Sequence, residues 1–148
     1  MTDAEPMIAG PGLAAHDAAT TIVPLDAPFV DDRGAIRPLV EADIRSVLII
    51  ESKAGAVRAD HYHHSDWHYL YVISGQMIYW YRPHGDTSPP RRIMVEAGQL
   101  IFTPAMMEHR TDFPVDTVCV TLSRNQRDQA AYEADVVRIQ MPVDETTR

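Results

Sequence analysis

Cysteine is nearly absent from this chain: Cys119 stands alone among 148 residues. An internal disulfide is thereby excluded, and the single thiol fits a reducing cytoplasm, the expected location. Cys119 lies in the strand-like run Thr117–Leu122 and reads as a buried apolar residue, not as a nucleophile. Positive charge is scarce too. Lys and Arg number 13 against 21 Asp and Glu, a formal net charge of −8 with no basic cluster. Nucleic acid is therefore not an expected partner, because phosphate backbones need concentrated positive charge. Long apolar runs are missing. None approaches the roughly 20 residues of a membrane span, so no membrane partner is expected. No basic stretch precedes an apolar core at the start, so no signal peptide is expected. Internal repeats are missing as well.

What the chain does have is histidine, and it is concentrated. His61, His63, His64 and His68, four of the seven, fall between Gly55 and Gly75. The residues around them are β-branched or aromatic (Val57, Tyr62, Tyr69, Tyr71, Val72, Ile73), so the stretch reads as strand. Alternation puts His61 and His63 on one face and His64 on the other. Ser65-Asp66 reads as a two-residue reversal, and the returning strand would present His68 beside the first pair. Three imidazoles converging from two adjacent strands suit a divalent metal. A second segment, Gly98-Gln-Leu-Ile-Phe-Thr-Pro-Ala-Met-Met-Glu-His109, offers a fourth ligand. His64 and His84 read as solvent-facing, and His16 as part of a tail.

The pattern Gly55-x5-His61-x-His63-x4-His68-x6-Gly75 resembles the first motif of the cupins, with His68 where Glu is usual. Gly98-x5-Pro104-x4-His109 resembles the second motif, with Met106 and Phe113 in place of a usual Gly and Asn. The resemblance spans roughly residues 29–123. It implies a small β-barrel with His61, His63, His68 and His109 as metal ligands. A neutral four-nitrogen set suits Fe, Zn, Ni or Cu better than Mg or Ca, and lacks the charge that a carboxylate would bring. Some cupins acting on sugar nucleotides keep the His-x-His pair, bind no metal and use a histidine as base. Phe29–Ile36 resembles the opening turn of those epimerases and ketoisomerases.

The remaining chain supplies substrate-facing candidates. Arg58, three residues before His61, takes the opposite face on a regular strand unless the neighbouring turn alters this; Arg can grip phosphate or carboxylate bidentately. Trp67, Tyr69, Tyr71, Tyr79 and Tyr81 are dense in aromatic surface. Tyr79 and Tyr81 share a face, either as an aromatic wall beside the metal or within a sheet-on-sheet dimer interface. Met106 and Met107 would form an adaptable rim. Glu108, next to His109, is a candidate acid/base, as is His63. Ile44–Ile50 is an apolar strand buried on both faces or in a dimer sheet. Asn125–Asp135 reads as a short helix, and Val136–Ile139 as an edge strand.

The expectation is an all-β double-stranded barrel over residues 22–140, with a flexible arm over 1–21 and a tail over 141–148. The expected function is that of a metal-dependent enzyme holding one divalent transition metal. It would isomerise or epimerise a small, sugar-type carbonyl substrate, and the family resemblance implies a homodimer. A non-haem Fe(II) dioxygenase and a non-catalytic ligand- or metal-binding cupin remain open beside it.

Overall fold

Alternating apolar residues, punctuated by Gly and Pro turns, fold in the computed structural model into eleven strands and one helix over the described residues 21–144. The expected N-terminal arm up to residue 20, and the tail from residue 145, lie outside the described residues. The order is β1 (Phe29–Asp31), β2 (Gly34–Ile36), β3 (Ser46–Ser52), β4 (Val57–His63), β5 (His68–Ser74) and β6 (Gln76–Pro83). Then follow β7 (Arg91–Glu96), β8 (Leu100–Thr103), β9 (Met107–Asp112), β10 (Thr117–Ser123), α1 (Gln129–Asp135) and β11 (Val136–Arg138).

The strands form two antiparallel sheets, β3-β10-β5-β8 and β11-β4-β9-β6-β7, beside a separate β1–β2 hairpin. Both sheets turn one face inward. Leu70, Val72, Ile101 and Cys119 from the first meet Met77, Tyr79, Tyr81, Val95 and Met107 from the second in one buried cluster. Full burial of each large side chain contributes about 1.5–3 kcal/mol, and this interior is the barrel's main core. Cys119 belongs to it, 1% exposed, and burial pushes its thiol up to about 11. Gly75 turns β5 into β6 with φ +88°, where a Cβ would lie 2.8 Å from the Thr117 Cα and 2.5 Å from the Asp116 carbonyl. Only glycine fits there.

Ile22–Leu25 forms no regular strand: Pro24 cannot donate, and Ile22 makes a single bridge to Ile101 while the Val23 N–H bonds the Leu100 carbonyl. One local expectation changes. β3 is not buried on both faces. It is the free edge of its sheet, and Val47 and Ile49 are 61% and 70% exposed.

The helix begins later than its composition suggests. Asp128 caps it by accepting from the Ala131 N–H at 3.0 Å, since a short side chain at that position satisfies an otherwise orphaned donor.

Candidate metal and substrate site

The site begins with an irregularity in β4. Pairing with β9 runs Arg58↔Thr111 and Ala59↔Arg110, then resumes at His61↔His109, leaving Asp60 as an extra residue. Ala59 and Asp60 both take left-handed conformations, φ 66° and 57°, as a bulge of this kind requires. The extra residue reverses the alternation. Arg58 and His61, which a regular strand would send to opposite faces, therefore line one cavity together with Thr111 and His109.

His61 and His109 are cross-strand partners with ring centroids 4.7 Å apart, and His63 lies 4.8 Å from His61 and 6.1 Å from His109. Ring nitrogens of these three lie within 4.8 Å of one another. His68 stands further out, 5.5 Å from His109 and 6.1 Å from His63 between centroids. It does not come from an adjacent strand as anticipated. The β4–β5 connection crosses from one sheet to the other, because both edges of β4 are taken by β9 and β11. His68 thus faces the trio across the barrel interior, from a position in register with Thr103 and Ser123.

The protonation of the site follows from its partners. His109 Nδ1 donates to the Met107 carbonyl at 2.8 Å, which leaves its Nε2 with a free lone pair. His63 Nδ1 donates to Asp135 Oδ2 at 3.1 Å, and its buried Nε2 has no hydrogen-bond partner. Orienting a histidine through its second nitrogen is the arrangement of metal-ligating or base-acting imidazoles. Burial is the chief cause that lowers the pKa of all four: His109 to about 4, His61 to about 2, His68 well below the ordinary imidazole value, and His63 against the opposing charges of Asp66 and Asp135. The rings are neutral at pH 7.

This donor set fits a transition metal: neutral nitrogens with unused lone pairs, a buried Nε2 and a buried His68 Nδ1 without partners. A second grouping, His63 with Asp66 and Asp135, shares His63. Its carboxylates already accept from the N–H groups of Ser65, Asp66 and Asn125.

Beyond the histidines the cavity has a volume of about 210 Å³. Tyr79 lines it, with its ring 6.1 Å from that of His109 and its hydroxyl 2.7 Å from Thr103 Oγ1. Tyr81 stacks on Tyr79 but borders a different groove with Arg82 and Met107. Trp67 is not at the cavity; it packs on Tyr69 and Phe102 in a separate apolar cluster. Met106 is on an exposed turn with φ 62°, its N–H bonded to the His63 carbonyl, and does not line the cavity.

Glu108 alternates away from His109 across β9. Arg82 at 2.9 Å and His84 at 2.9 Å hold its carboxylate. Burial raises its pKa, but these two bonds outweigh that and keep it below the usual carboxylate range. His84, exposed as expected, also stacks on Tyr62 with centroids 4.2 Å apart.

Three residues that sequence reasoning did not single out reach the site from around α1. Arg127 and Tyr132 line the cavity, and Asp135 orients His63. The Tyr132 hydroxyl lies 3.5 Å from His61 Nδ1, and the Arg127 guanidinium is 4.7 Å from the Tyr132 ring centroid. No spacing rule marks them, because they follow the second motif by a whole strand and turn.

The profile of the cupin domain matches residues 48–123, just over half of the chain. The chain belongs to the cupin family. Among solved structures it resembles QdtA, a sugar 3,4-ketoisomerase from Thermoanaerobacterium thermosaccharolyticum in complex with TDP. That similarity has a TM-score of 0.63 and 15% identity over 80% of this chain and 85% of that one. ChmJ, a 3'-monoepimerase from Streptomyces bikiniensis in complex with dTDP-quinovose, gives 0.61 and 15% over 73% of this chain and 65% of that one. CapF, a capsular polysaccharide assembling protein from Staphylococcus aureus, gives 0.58 and 22% over 80% of this chain. This chain spans only about a third of CapF, 35% of its length. No curated protein matches the sequence. At these identities the shared property is the fold.

Proposed function

We propose that this chain is a metal-dependent cupin enzyme that moves a proton next to the carbonyl of a small, sugar-type substrate, as an isomerase or epimerase does. The observation that carries the reading is the convergence of His61, His63 and His109, with His63 and His109 oriented through Nδ1 and His61 and His109 lining the cavity. His61, His63 and His109, with His68 facing them, would hold one divalent transition metal. Bound there, an ion would supply Lewis-acid polarisation of the substrate carbonyl, which makes the adjacent proton more acidic. Tyr79 presents a flat apolar wall to a ring substrate, and the Tyr132 hydroxyl beside His61 is placed to relay the proton. The ketoisomerase and epimerase folds named above support the substrate class.

The His63–Asp135 pair favours a second reading, in which the chain works without metal. His63 Nε2 would then take the proton directly, and Asp135 would stabilise the imidazolium through Nδ1–H. One experiment separates the two. The purified protein is assayed for bound metal, and for exchange of solvent deuterium into TDP-4-keto-6-deoxyglucose, the ligand in one of the QdtA structures. Exchange that disappears on chelation and returns with Zn, Fe or Ni supports the metal reading. Exchange indifferent to chelation but lost in His63→Ala supports the metal-free one, and absence of exchange under both conditions removes TDP-4-keto-6-deoxyglucose as a substrate.

A homodimer is part of the proposal. Val47 and Ile49 on the edge strand β3, and Ile73 on β5, are apolar and exposed, a surface that a second copy would cover.

A further inference from the structure

We infer that the cavity beside the histidines receives an oxyanion, a carboxylate or a phosphoryl group, held between Arg58 and Arg127. This deepens the reading above and rests on it in one respect only, that the substrate enters this cavity. The chain has a net charge of −8, yet no Asp or Glu is among the described residues that line the cavity, whereas two guanidinium groups are. Four other arginines are matched with acids: Arg33 with Asp31, Arg82 with Glu108, Arg110 with Asp112 and Arg138 with Glu133.

Arg58 and Arg127 differ from these. Arg58 donates only to neutral oxygens, Ser52 Oγ at 2.8 Å and the Glu51 carbonyl at 2.9 Å. Arg127 lies against the face of Tyr132. No carboxylate pairs with either among the described residues. Asp135, at Nδ1 of His63, and Asp66 are engaged by backbone N–H groups, and neither lines the cavity.

The hydrogen bonds of Arg58 to Ser52 and Glu51 and the stacking of Arg127 on Tyr132 hold both side chains in place before a ligand arrives. A planar guanidinium held in this way matches the two oxygens of a carboxylate or phosphoryl group. The cavity, at about 210 Å³, is below the roughly 300–1,000 Å³ that encloses a drug-sized ligand. It takes the reacting end of a substrate with its anionic group close by. That group is either the substrate's own carboxylate or a phosphoryl group attached to a sugar.

The test is calorimetric titration of the full chain, as purified and again after chelation, with malonate and with inorganic phosphate in low-salt buffer. Saturable binding of either probe, with displacement of one by the other, is the expected result. Tighter malonate binding assigns the carboxylate, and tighter phosphate binding the phosphoryl group. Arg58→Gln and Arg127→Gln should each weaken the bound probe about tenfold or more, as loss of a charged hydrogen bond does. Arg127→Lys should retain part of the affinity, and Arg92→Gln, on the surface beside Trp80, should change nothing. Circular dichroism confirms that each variant folds.

Lack of saturable binding for both probes overturns the inference, as does binding that survives both glutamine substitutions or falls equally in Arg92→Gln. Anion binding without turnover on any carbonyl substrate would remove the proposed reaction and leave this inference standing. Turnover without anion binding would do the reverse.

Discussion

Asp135, the last residue of α1, accepts a hydrogen bond from His63 Nδ1 in β4 across 3.1 Å, joining residues 72 positions apart. The same carboxylate accepts from the Ser65 N–H and hydroxyl at 2.8 Å each and from the Asp66 N–H at 3.1 Å. Although burial raises its pKa, these bonds prevail and keep it below the ordinary aspartate value. One side chain therefore closes the β4–β5 turn and sets the tautomer of a site histidine.

Asp135→Asn should accordingly keep the turn partly closed but lose control of His63. Metal affinity is expected to fall about 10–100-fold, the usual effect of removing a ligand's outer partner. Competition with a chromophoric chelator measures it. Unchanged affinity together with an unchanged melting temperature would mean that Asp135 does not orient His63.

Acid should destabilise the metal-free protein. Burial lowers the folded-state pKa of His109 to about 4, of His61 to about 2, and of His68 well below the ordinary value of 6.5. Below about pH 6.5 the unfolded chain binds protons that the folded chain refuses, so stability falls as pH drops and continues to fall toward pH 4. Thermal melts of chelated protein at pH 7.5, 6 and 5 should show a steady decline. The decline should be shallower in His109→Gln, which cannot take up a proton. Identical slopes for the two proteins would count against the buried neutral state of His109.

Glu108→Gln tests an acid/base role that alternation along β9 does not support. The carboxylate faces Arg82 and His84, away from the cavity. The substitution is expected to cost about 1–3 kcal/mol of stability, since Arg82 loses its charged partner, and to leave turnover within a factor of about two at saturating substrate. Denaturant unfolding and kcat are the two measurements. A large fall in kcat with unchanged stability would return Glu108 to the chemistry.

Replacing Val47 and Ile49 together with lysine should convert a dimer to a monomer. Both side chains are exposed on an edge strand, so charge there leaves the barrel interior intact while opposing burial against a second copy. Light scattering after size exclusion decides it. A wild-type monomer at all concentrations would remove the homodimer from the proposal.

Sequence alone determined a good deal here. Period-two alternation and Gly/Pro punctuation define the barrel strands, and the two spaced motifs identify the cupin family. These signals are local, and a strand's faces follow from the chain itself. Alternation could not anticipate the extra residue at Asp60, which turns Arg58 onto the histidine face, nor place Glu108 against Arg82 and His84.

Only the tertiary structure decided which sheet each strand joins. It sent His68 across the interior from the other sheet, and it put Trp67 into an apolar cluster away from the cavity. It also brought Arg127, Tyr132 and Asp135 to the site from around a helix that shares no motif with β4. The physical reason is range: side-chain direction is set by the residue's own backbone, whereas a partner 70 residues away is chosen by how two sheets and a helix close around a common core.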